Sequence, residues 1–280
     1  MANDPWWLTR RTALKGLVAT GAGVIVGRVG YGVVYERHQI RLERSDLRVV
    51  GLPAALDGLR VGLITDIHSS ETVPDEDIRA AVDLLRGERP DLVVLGGDYV
   101  TDGNVRHAAP AAALLAPLAD APAGAFAVLG NHDDDRVVPA ALSARGFEVL
   151  RDQRTRITVR GEPLDIAGLR YWTRRLIDVA KVLRGAGPTT LLIAHDPRRL
   201  TEAAELDVQL VLAGHTHGGQ VVLPGIGAIA ARRFPVIAGA ARERNCVLYV
   251  SRGVGTVVVP LRINCPAEVT VLTLRSAAPI

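Results

Sequence analysis

The sequence LVLAGHTHGGQ, residues 210–220, joins an apolar run to two histidines that are flanked by glycines. The apolar residues predict a buried strand, and the glycines allow the backbone to turn sharply where the strand ends. His215 and His217 are alternate residues, so their imidazoles can face a common point. Paired imidazoles of this kind bind transition metals, although two histidines of a surface loop have the same spacing. The remainder of the chain decides between these two interpretations.

Other apolar runs end in the same way. The strands predicted at residues 59–65, 92–95, 125–129 and 190–194 are followed by Asp66 and His68, by Asp98, by Asn131, His132 and Asp133, and by His195. Because ligands of open α/β sheets gather at the carboxyl ends of the strands, we expect these loops to converge. Five of the seven histidines lie at strand ends, and we expect the other two, His38 and His107, to be ordinary surface residues.

The order of the predicted elements indicates an α/β fold. Helices are predicted at residues 72–87, 105–119, 137–145, 174–184 and 198–205, a hairpin at 155–169, and further strands at 221–223, 246–251, 256–263 and 269–274. Apolar strands without alternation are buried on both faces, so helices should cover at least part of the sheet. The strand-rich C-terminal third predicts a second sheet packed on the first. We expect one layered α/β sandwich domain, with no linker after about residue 45.

Composition and charge narrow the class of function. The chain has 280 residues, of which 48% are hydrophobic, and this indicates a globular protein with a substantial core. Its net charge is +3, and the excess is N-terminal, because residues 1–60 carry nine Lys and Arg against five Asp and Glu. The rest is nearly neutral, which argues against a nucleic-acid-binding face. We expect a monomer.

The mixed set of His, Asp and Asn ligands, without thiolates, suits divalent metals of borderline softness. Two carboxylates and four or five imidazoles are too many for one ion and fit two ions that share an oxygen ligand. Two such ions can clamp a phosphoryl oxygen and generate a bridging hydroxide for in-line attack. A hydrolase with a single metal ion is the alternative, and it differs in metal content.

These motifs resemble those of the calcineurin-like metallophosphoesterases. The resemblance rests on Asp66-x-His68, Gly96-Gly97-Asp98, Gly130-Asn131-His132-Asp133, His195 and Gly214-His215-Thr216-His217, and it covers about residues 58–275. The GHTHGGQ form and the N-terminus are most similar to the bacterial membrane-associated branch typified by the YkuE and YaeI phosphodiesterases. The resemblance implies a four-layer α/β/β/α sandwich, with two packed mixed sheets flanked by helices.

The resemblance also implies a role for each motif residue. The first metal ion would be held by Asp66, His68 and His217, the second by Asn131, His195 and His215, and Asp98 would bridge the two. His132 would act on the leaving oxygen as general acid or as a stabiliser of the transition state. Asp133 is interpreted as a partner that orients an imidazole. Asp196 is interpreted as the N-cap of a helix that begins at Pro197. The implied metals are Mn, Fe or Zn.

The N-terminus has the pattern of an export signal. Thr9-Arg10-Arg11 and the following residues precede a Gly-, Ala- and Val-rich run, and the pattern T-R-R-x-x-L-K resembles a twin-arginine signal. A basic amphipathic helix is the alternative. No A-x-A cleavage site follows, and residues 16–35 are just long enough to remain as an uncleaved membrane anchor. We expect residues 1–35 to be the signal or anchor, recognised by the twin-arginine translocation machinery, and residues 36–280 to be an extracytoplasmic metallophosphoesterase domain.

The function expected from these features is hydrolysis of a phosphodiester or pyrophosphate that is lipid-linked, nucleotide-linked or otherwise part of the cell envelope. Phosphomonoester or phosphoprotein hydrolysis is an alternative on the same site, and a non-catalytic binding protein is a further one. The arginines at positions 170, 174, 175, 232 and 233 are expected to be solvated surface charges. Cys246 and Cys265 either form one disulfide or remain as two buried thiols, and their spacing does not decide this.

Overall fold

The structure is a computed structural model that describes residues 10–278. Its helices are α1 (Arg10–Val34), α2 (Asp75–Gly87), α3 (Ala108–Leu115), α4 (Val137–Ser143), α5 (Leu176–Leu183) and α6 (Leu200–Glu205). Its strands are β1 (Ile40–Val50), β2 (Arg60–Ile64), β3 (Leu92–Leu95), β4 (Ala125–Ala127), β5 (Glu148–Val149), β6 (Gln153–Val159), β7 (Glu162–Leu169), β8 (Thr190–Ala194), β9 (Leu210–Ala213), β10 (Val222–Leu223), β11 (Gly227–Ala228), β12 (Gly239–Glu243), β13 (Cys246–Val250) and β14 (Ala267–Ala277).

The first sheet has the strand order β1-β14-β2-β3-β4-β5. Strands β2 to β5 are parallel, as crossover connections through α2, α3 and α4 require. The C-terminal strand β14 pairs antiparallel with β2 and parallel with β1, where its register runs from Ile40 opposite Ala267 to Val50 opposite Ala277. The end of the chain therefore ties the segment that follows α1 into the sheet.

The second sheet has the strand order β12-β13-β9-β8-β7-β6. Its four inner strands are parallel, and hairpins place β12 and β6 antiparallel at the two edges. The hairpin predicted at residues 155–169 is confirmed as β6 and β7. Because β2, β3, β4, β8 and β9 all end on one side of the molecule, the loops that follow them meet there.

Three apolar layers account for the order of the elements. The layer between the two sheets contains Val61, Leu63, Val94, Ile166, Ile193 and Leu212. A second layer packs α2, α3 and α4 on the first sheet, and a third packs α5 and α6 on the second. Both faces of the inner strands are thus covered, which is why their sequences are apolar without alternation. The four-layer α/β/β/α sandwich is confirmed.

One predicted strand is wrong. Residues 256–263 were expected to be extended in a sheet, but they form an irregular loop. The side chain of Gln220 makes backbone hydrogen bonds that a neighbouring strand would make in a sheet. Its Nε2 donates to the carbonyl of Val257, and its Oε1 accepts from the Val257 amide at 2.7 Å. Val258 and Val259 of the loop are exposed, whereas Ile263 at its end is buried.

Helix α1 lies outside the sandwich, and nearly all of its residues are exposed. Together with the turn that follows, it forms a helical stretch of 29 residues, Arg10–His38, that includes an 18-residue window with a mean hydropathy of 1.6. This length and composition are sufficient to cross a bilayer. The residues before Arg10, where the predicted signal begins, lie outside the described part of the chain.

The two cysteines, whose pairing the sequence leaves open, are free and buried. Burial raises the pKa of the Cys246 thiol to about 12, and burial also raises the pKa of the Cys265 thiol. The sulfur of Cys265 lies 3.3 Å from the carbonyl oxygen of His217, so this thiol packs against the loop that carries the GHTHGG motif.

We expect two thiols per chain to react with an aromatic disulfide reagent when the protein is unfolded without prior reduction. The native protein should react slowly at pH 8, because both thiols are inaccessible and largely protonated. A sample reduced before unfolding is the control and should give the same count. A titre near zero that rises to two only after reduction would show a disulfide instead.

Candidate metal centre

The strand-end loops bring the predicted site residues together in two groups. In the first group, the potential ligand atoms of Asp66, His68, Asp98 and His217 all lie within 4.8 Å of one another. The second group has the same limit and consists of Asp98, His195 and His215. Asp98 is common to both, so the described residues contain two adjacent clusters with one shared carboxylate. His38 and His107 lie elsewhere, paired with Asp77 and Glu71.

The distances within the first cluster, and from Asp98 to the second, are those of side chains that face one point. The Nε2 atoms of His68 and His217 are 3.1 Å apart. The Oδ2 atom of Asp98 lies 3.6 Å from Nε2 of His68 and 3.1 Å from Nε2 of His195, and Oδ1 of Asp66 lies 3.5 Å from Nε2 of His217. Five polar side chains from both sheets thus converge within a few ångströms.

The backbone adopts unusual conformations where the site residues leave their strands. Positive φ angles occur at Asp66 (52°), His68 (44°), Asp98 (58°), His215 (73°) and His217 (52°). Residues other than glycine seldom adopt this left-handed region, and such strain is concentrated at functional sites. Each positive φ turns the chain abruptly after its strand, and this turn directs the side chain towards the centre.

Two glycines permit the close approach of the loops. Gly97 has a φ of 101°, and a Cβ atom at this position would lie 2.6 Å from the amide nitrogen of Gly130 and 2.9 Å from Nδ1 of His195. A Cβ atom at Gly130 would overlap the carboxylate of Asp98. Both positions therefore require glycine, and the GGD and GNHD motifs are explained by packing around Asp98.

Hydrogen bonds outside the centre fix the orientation of its side chains. Nδ1 of His195 lies 2.8 Å from the carbonyl oxygen of Gly96, so Nδ1 carries a proton, and Nε2 faces Asp98 at 3.1 Å. The amide of His215 donates to both carboxylate oxygens of Asp66, at 3.0 and 3.1 Å. The second interaction connects the loop after β2 to the loop after β9.

Burial keeps three of the imidazoles neutral. It is the largest effect on each, and it lowers the pKa of His68 to about 4, that of His215 to about 3, and that of His217 well below its ordinary value. A neutral imidazole has a free lone pair, which metal coordination requires.

The fourth imidazole, His195, responds differently because it faces two carboxylates. Burial alone would lower its pKa, but the charges of Asp98 and Asp66 outweigh burial and raise it to about 10. Burial likewise opposes ionisation of Asp98, yet the attraction of His195 and His68 holds the pKa of Asp98 well below its usual range. The centre thus contains a buried anionic group that attracts positive charge.

An unpartnered amide lines the same groove as Asp98 and His215. Oδ1 of Asn131 is buried and has no hydrogen-bond partner among the described residues. A buried oxygen of this kind costs free energy unless it is bound by a donor or a cation. Carboxylates, imidazoles and this amide oxygen form a donor set that suits divalent metals of borderline softness. The residues present therefore fit two metal ions.

Asp133 has a different role from the one expected. Its carboxylate accepts hydrogen bonds from the backbone amides of Asp98, Tyr99 and Gly130, at 2.7 to 2.8 Å, and the described structure gives it no imidazole partner. Asp133 therefore organises the loops after β3 and β4 and does not orient a histidine. The N-cap expected at Asp196 is confirmed, because its Oδ1 accepts from the amide of Arg198.

Sequence reasoning missed the residue that contacts His132. Nδ1 of His132 accepts from the amide of Asp102 at 3.1 Å and lies 3.0 Å from the Oδ1 atom of Asp102. Asp102 is exposed and lies several residues beyond the end of its strand, so no motif spacing indicates it. Asp102 thus offers Nδ1 of His132 a backbone donor and a carboxylate acceptor, and one of the two can bind the ring in each protonation state.

A groove with a volume of about 1150 Å³ opens at the centre, and its lining includes Asp98, Asn131, His132, His215 and His217. Arg232 and Arg233 are exposed, as predicted, but both also line this groove. The ring centroids of Tyr171 and His215 are 5.2 Å apart, and the guanidinium group of Arg174 stacks on the rings of Tyr171 and Trp172. The centre is therefore accessible and has basic and aromatic neighbours.

Comparison with known proteins gives a consistent result. The sequence profile of the calcineurin-like phosphoesterases matches residues 59–219, which contain all the residues of both clusters. The uncharacterized metallophosphoesterase YkuE of Bacillus subtilis is 29% identical over 96% of this chain and 98% of its own length. Phosphodiesterase YaeI of Escherichia coli is 31% identical over 95% of this chain and 99% of its own length.

A third relative is the transmembrane protein with metallophosphoesterase domain of Danio rerio, which is 32% identical over 88% of this chain. The match covers 60% of the zebrafish protein, so that protein contains further sequence. The similarities extend over both sheets and over the complete set of strand-end motifs. The chain belongs to the calcineurin-like phosphoesterase family, whose members are metal-dependent hydrolases of phosphoric esters.

Proposed function

We propose that the protein is a dinuclear metal-dependent phosphodiesterase or pyrophosphatase of the cell envelope. The observation that carries this proposal is the pair of buried clusters that share Asp98. A single carboxylate shared by two sets of imidazoles is an arrangement that suits a two-ion centre. A single-ion hydrolase would leave one of the clusters without a function.

The proposed ligands follow from the two clusters. One ion would be held by Asp66, His68 and His217, the other by Asn131, His195 and His215, with Asp98 between them. The ions, when bound, supply Lewis acidity to the phosphoryl oxygens and lower the pKa of a water molecule. The hydrogen bond from Nδ1 of His195 to Gly96 and the amide of His215 on Asp66 keep these side chains oriented before a substrate binds.

His132 is proposed to act on the leaving oxygen. In the neutral ring, the amide of Asp102 donates to Nδ1, so the proton lies on Nε2 and can stabilise the developing negative charge. In the charged ring, Nδ1–H can donate to the carboxylate of Asp102 while Nε2 transfers its proton to the leaving group. Both protonation states thus have a partner at Nδ1. Asp102 is a positioning residue in this proposal.

A diester or pyrophosphate substrate is favoured over a monoester by the similarity to a relative named as a phosphodiesterase. A phosphomonoesterase, including a phosphoprotein phosphatase, is the second candidate on the same site. A non-catalytic binding protein would be expected to lack part of the centre, whereas every motif residue is present here. Comparing a diester with its matched monoester separates the first two candidates.

We also propose that residues 1–35 are a twin-arginine export signal that remains as an anchor, and that residues 36–280 are the catalytic domain outside the cytoplasm. Support comes from Arg10 and Arg11 at the start of α1, from the length and hydropathy of this helix, and from a relative named as a transmembrane protein. Arg28 is the one charged residue in the apolar half of the helix, and its pairing with Glu36 reduces the cost of placing it near lipid.

Asp98→Ala should lose both metal ions, because the shared carboxylate belongs to both clusters. Elemental analysis of the purified protein is the measurement, with about two ions per native chain expected. Asp165→Ala is the matched control, since Asp165 is equally buried but pairs with Arg154 and Arg156 far from the centre. Two ions retained by Asp98→Ala would contradict the bridging role.

His132→Ala should reduce the turnover of bis(4-nitrophenyl) phosphate by about 10²- to 10⁴-fold, the usual contribution of a general acid. The metal content should remain near that of the native protein. His107→Ala, outside the site, is the control and should leave both quantities unchanged. Native turnover should be faster with this diester than with 4-nitrophenyl phosphate. Faster monoester turnover would favour the second candidate, and loss of metal would reassign His132 to the ligands.

Arg10→Lys together with Arg11→Lys should block export, because the twin-arginine machinery requires both guanidinium groups. The measurement is the fraction of protein accessible to protease added outside spheroplasts. A matched control replaces Arg86 and Arg89 by Lys, since both are exposed on the catalytic domain. Unchanged accessibility of the first variant would remove the twin-arginine route from the proposal.

A further inference from the structure

The groove that opens at the metal centre has α1 as its far wall. At one end it is lined by His132 and His215, and at the other by Val24, Ile25 and Val29 of the helix. The groove is therefore continuous from the proposed reaction centre to the segment that is long and apolar enough to cross a bilayer. A soluble, polar substrate would have no use for such a connection.

The side walls of the groove are formed by residues 221–234, which contain the short hairpin of β10 and β11, and by the irregular loop 256–263, and both segments leave large apolar side chains exposed. Ile229 is 53% exposed and Val258 is 95% exposed, beside Ile25 of the helix at 66%. Isolated apolar residues on a surface are ordinary, but a contiguous apolar patch marks a binding surface. The apolar pattern that led to the wrong strand prediction for residues 256–263 is explained if these side chains contact a ligand or lipid.

Specific contacts hold α1 in place beside the groove. Gly32 packs so closely on the loop that a Cβ atom there would lie 2.6 Å from Leu261 Cδ1. Arg28 donates to Asn264 at 2.7 Å and forms an ion pair with Glu36 at the same distance. Glu36 in turn accepts from the backbone amide of Cys265. The end of the helix is thus fixed to the catalytic domain, so the groove is part of the folded structure.

The positions of the groove-lining residues along α1 determine how deep the groove would lie in a bilayer. From Val24 to the helix end at Val34 the rise is about 15 Å, which is half of the hydrocarbon core. The helical wall of the groove then lies in the leaflet next to the catalytic domain. Arg232 and Arg233 also line the groove, and Nε of Arg232 is held by the carbonyl of Ala228. Guanidinium groups there can bind anionic phosphates.

We propose that this groove binds the hydrocarbon chain of a lipid-linked phosphate ester, and that the chain enters sideways from the bilayer with α1 as one wall. This inference rests on the proposed phosphodiesterase function and specifies its substrate class. The phosphoester would reach the metal centre while the chain lies against Ile25, Ile229 and Val258. Helix α1 is then a component of the substrate site in addition to a tether.

The test compares two diesters that share the reacting phosphate and leaving group, methyl 4-nitrophenyl phosphate and dodecyl 4-nitrophenyl phosphate. Full-length, metal-loaded protein in non-ionic detergent is assayed with both, and the readout is the ratio of their kcat/KM values. This ratio is independent of the fraction of active protein. We expect the native protein to prefer the dodecyl ester more than tenfold.

Two groove variants and two matched controls locate the source of that preference. Ile229→Asp and Ile25→Asn should reduce the ratio at least fivefold, because each places a polar group against the chain. Ile177→Asp on α5 and Val18→Asn on α1 alter residues of similar exposure, 59% and 64%, outside the groove, and should keep the native ratio. Partitioning of the dodecyl ester into micelles is common to all five proteins.

The outcomes are distinguishable. A native protein that hydrolyses the methyl ester but shows a ratio near one would overturn the groove inference and leave the phosphodiesterase function intact. A native preference that neither groove variant reduces would also overturn it, since the preference would then come from micelles alone. Equal reductions in groove and control variants would overturn it as well, because the effect would then not arise in the groove. No turnover of either ester by protein that contains two metal ions would refute the proposed function itself.

Discussion

The buried carboxylate of Asp98 is the contact on which the organisation of the centre depends. Asp98 leaves the first sheet after β3, and its Oδ2 lies 3.1 Å from His195, which leaves the second sheet after β8. Its Oδ1 accepts from the backbone amide of His132 and so fixes the loop after β4. Gly97 and Gly130 lack side chains because a Cβ atom at either would displace this arrangement. The two sheets therefore meet at one ionised group as well as through their apolar core.

This arrangement favours function at the expense of stability in the absence of metal. Asp66 and Asp98 are both fully buried, and burial together with the charge of Asp98 raises the pKa of Asp66 to about 6. Of the four imidazoles, only that of His195 has a raised pKa and compensates these charges, and the unpartnered oxygen of Asn131 adds to the cost. Cations that bind the folded centre would remove these costs and stabilise the folded state by mass action. The strained φ angles of the ligand loops are a further cost to the stability of the folded state.

The residues of the centre could be predicted from the sequence because each motif lies next to the strand that positions it. Each motif follows a short apolar run, and parallel strands place their carboxyl ends together whatever the details of packing. The same logic gave the layered fold, since strands such as β3 and β8 are apolar on both faces. Local pattern was insufficient where a side chain acts on a distant backbone. Asp133 was assigned to an imidazole although it binds amides of two loops, and Asp102 was missed although it holds His132.

The contacts of the N-terminal helix could likewise not be predicted from local sequence. Its composition indicates a signal or an anchor, and nothing in residues 16–35 reveals that Gly32 packs against Leu261 or that Arg28 pairs with Glu36. A helix that served only for export would need no fixed contact with the catalytic domain. Each of these contacts restricts the helix to one orientation beside the groove, and this restriction has a conformational cost. The proposed role of α1, a wall that stays aligned with the metal centre, would account for that cost.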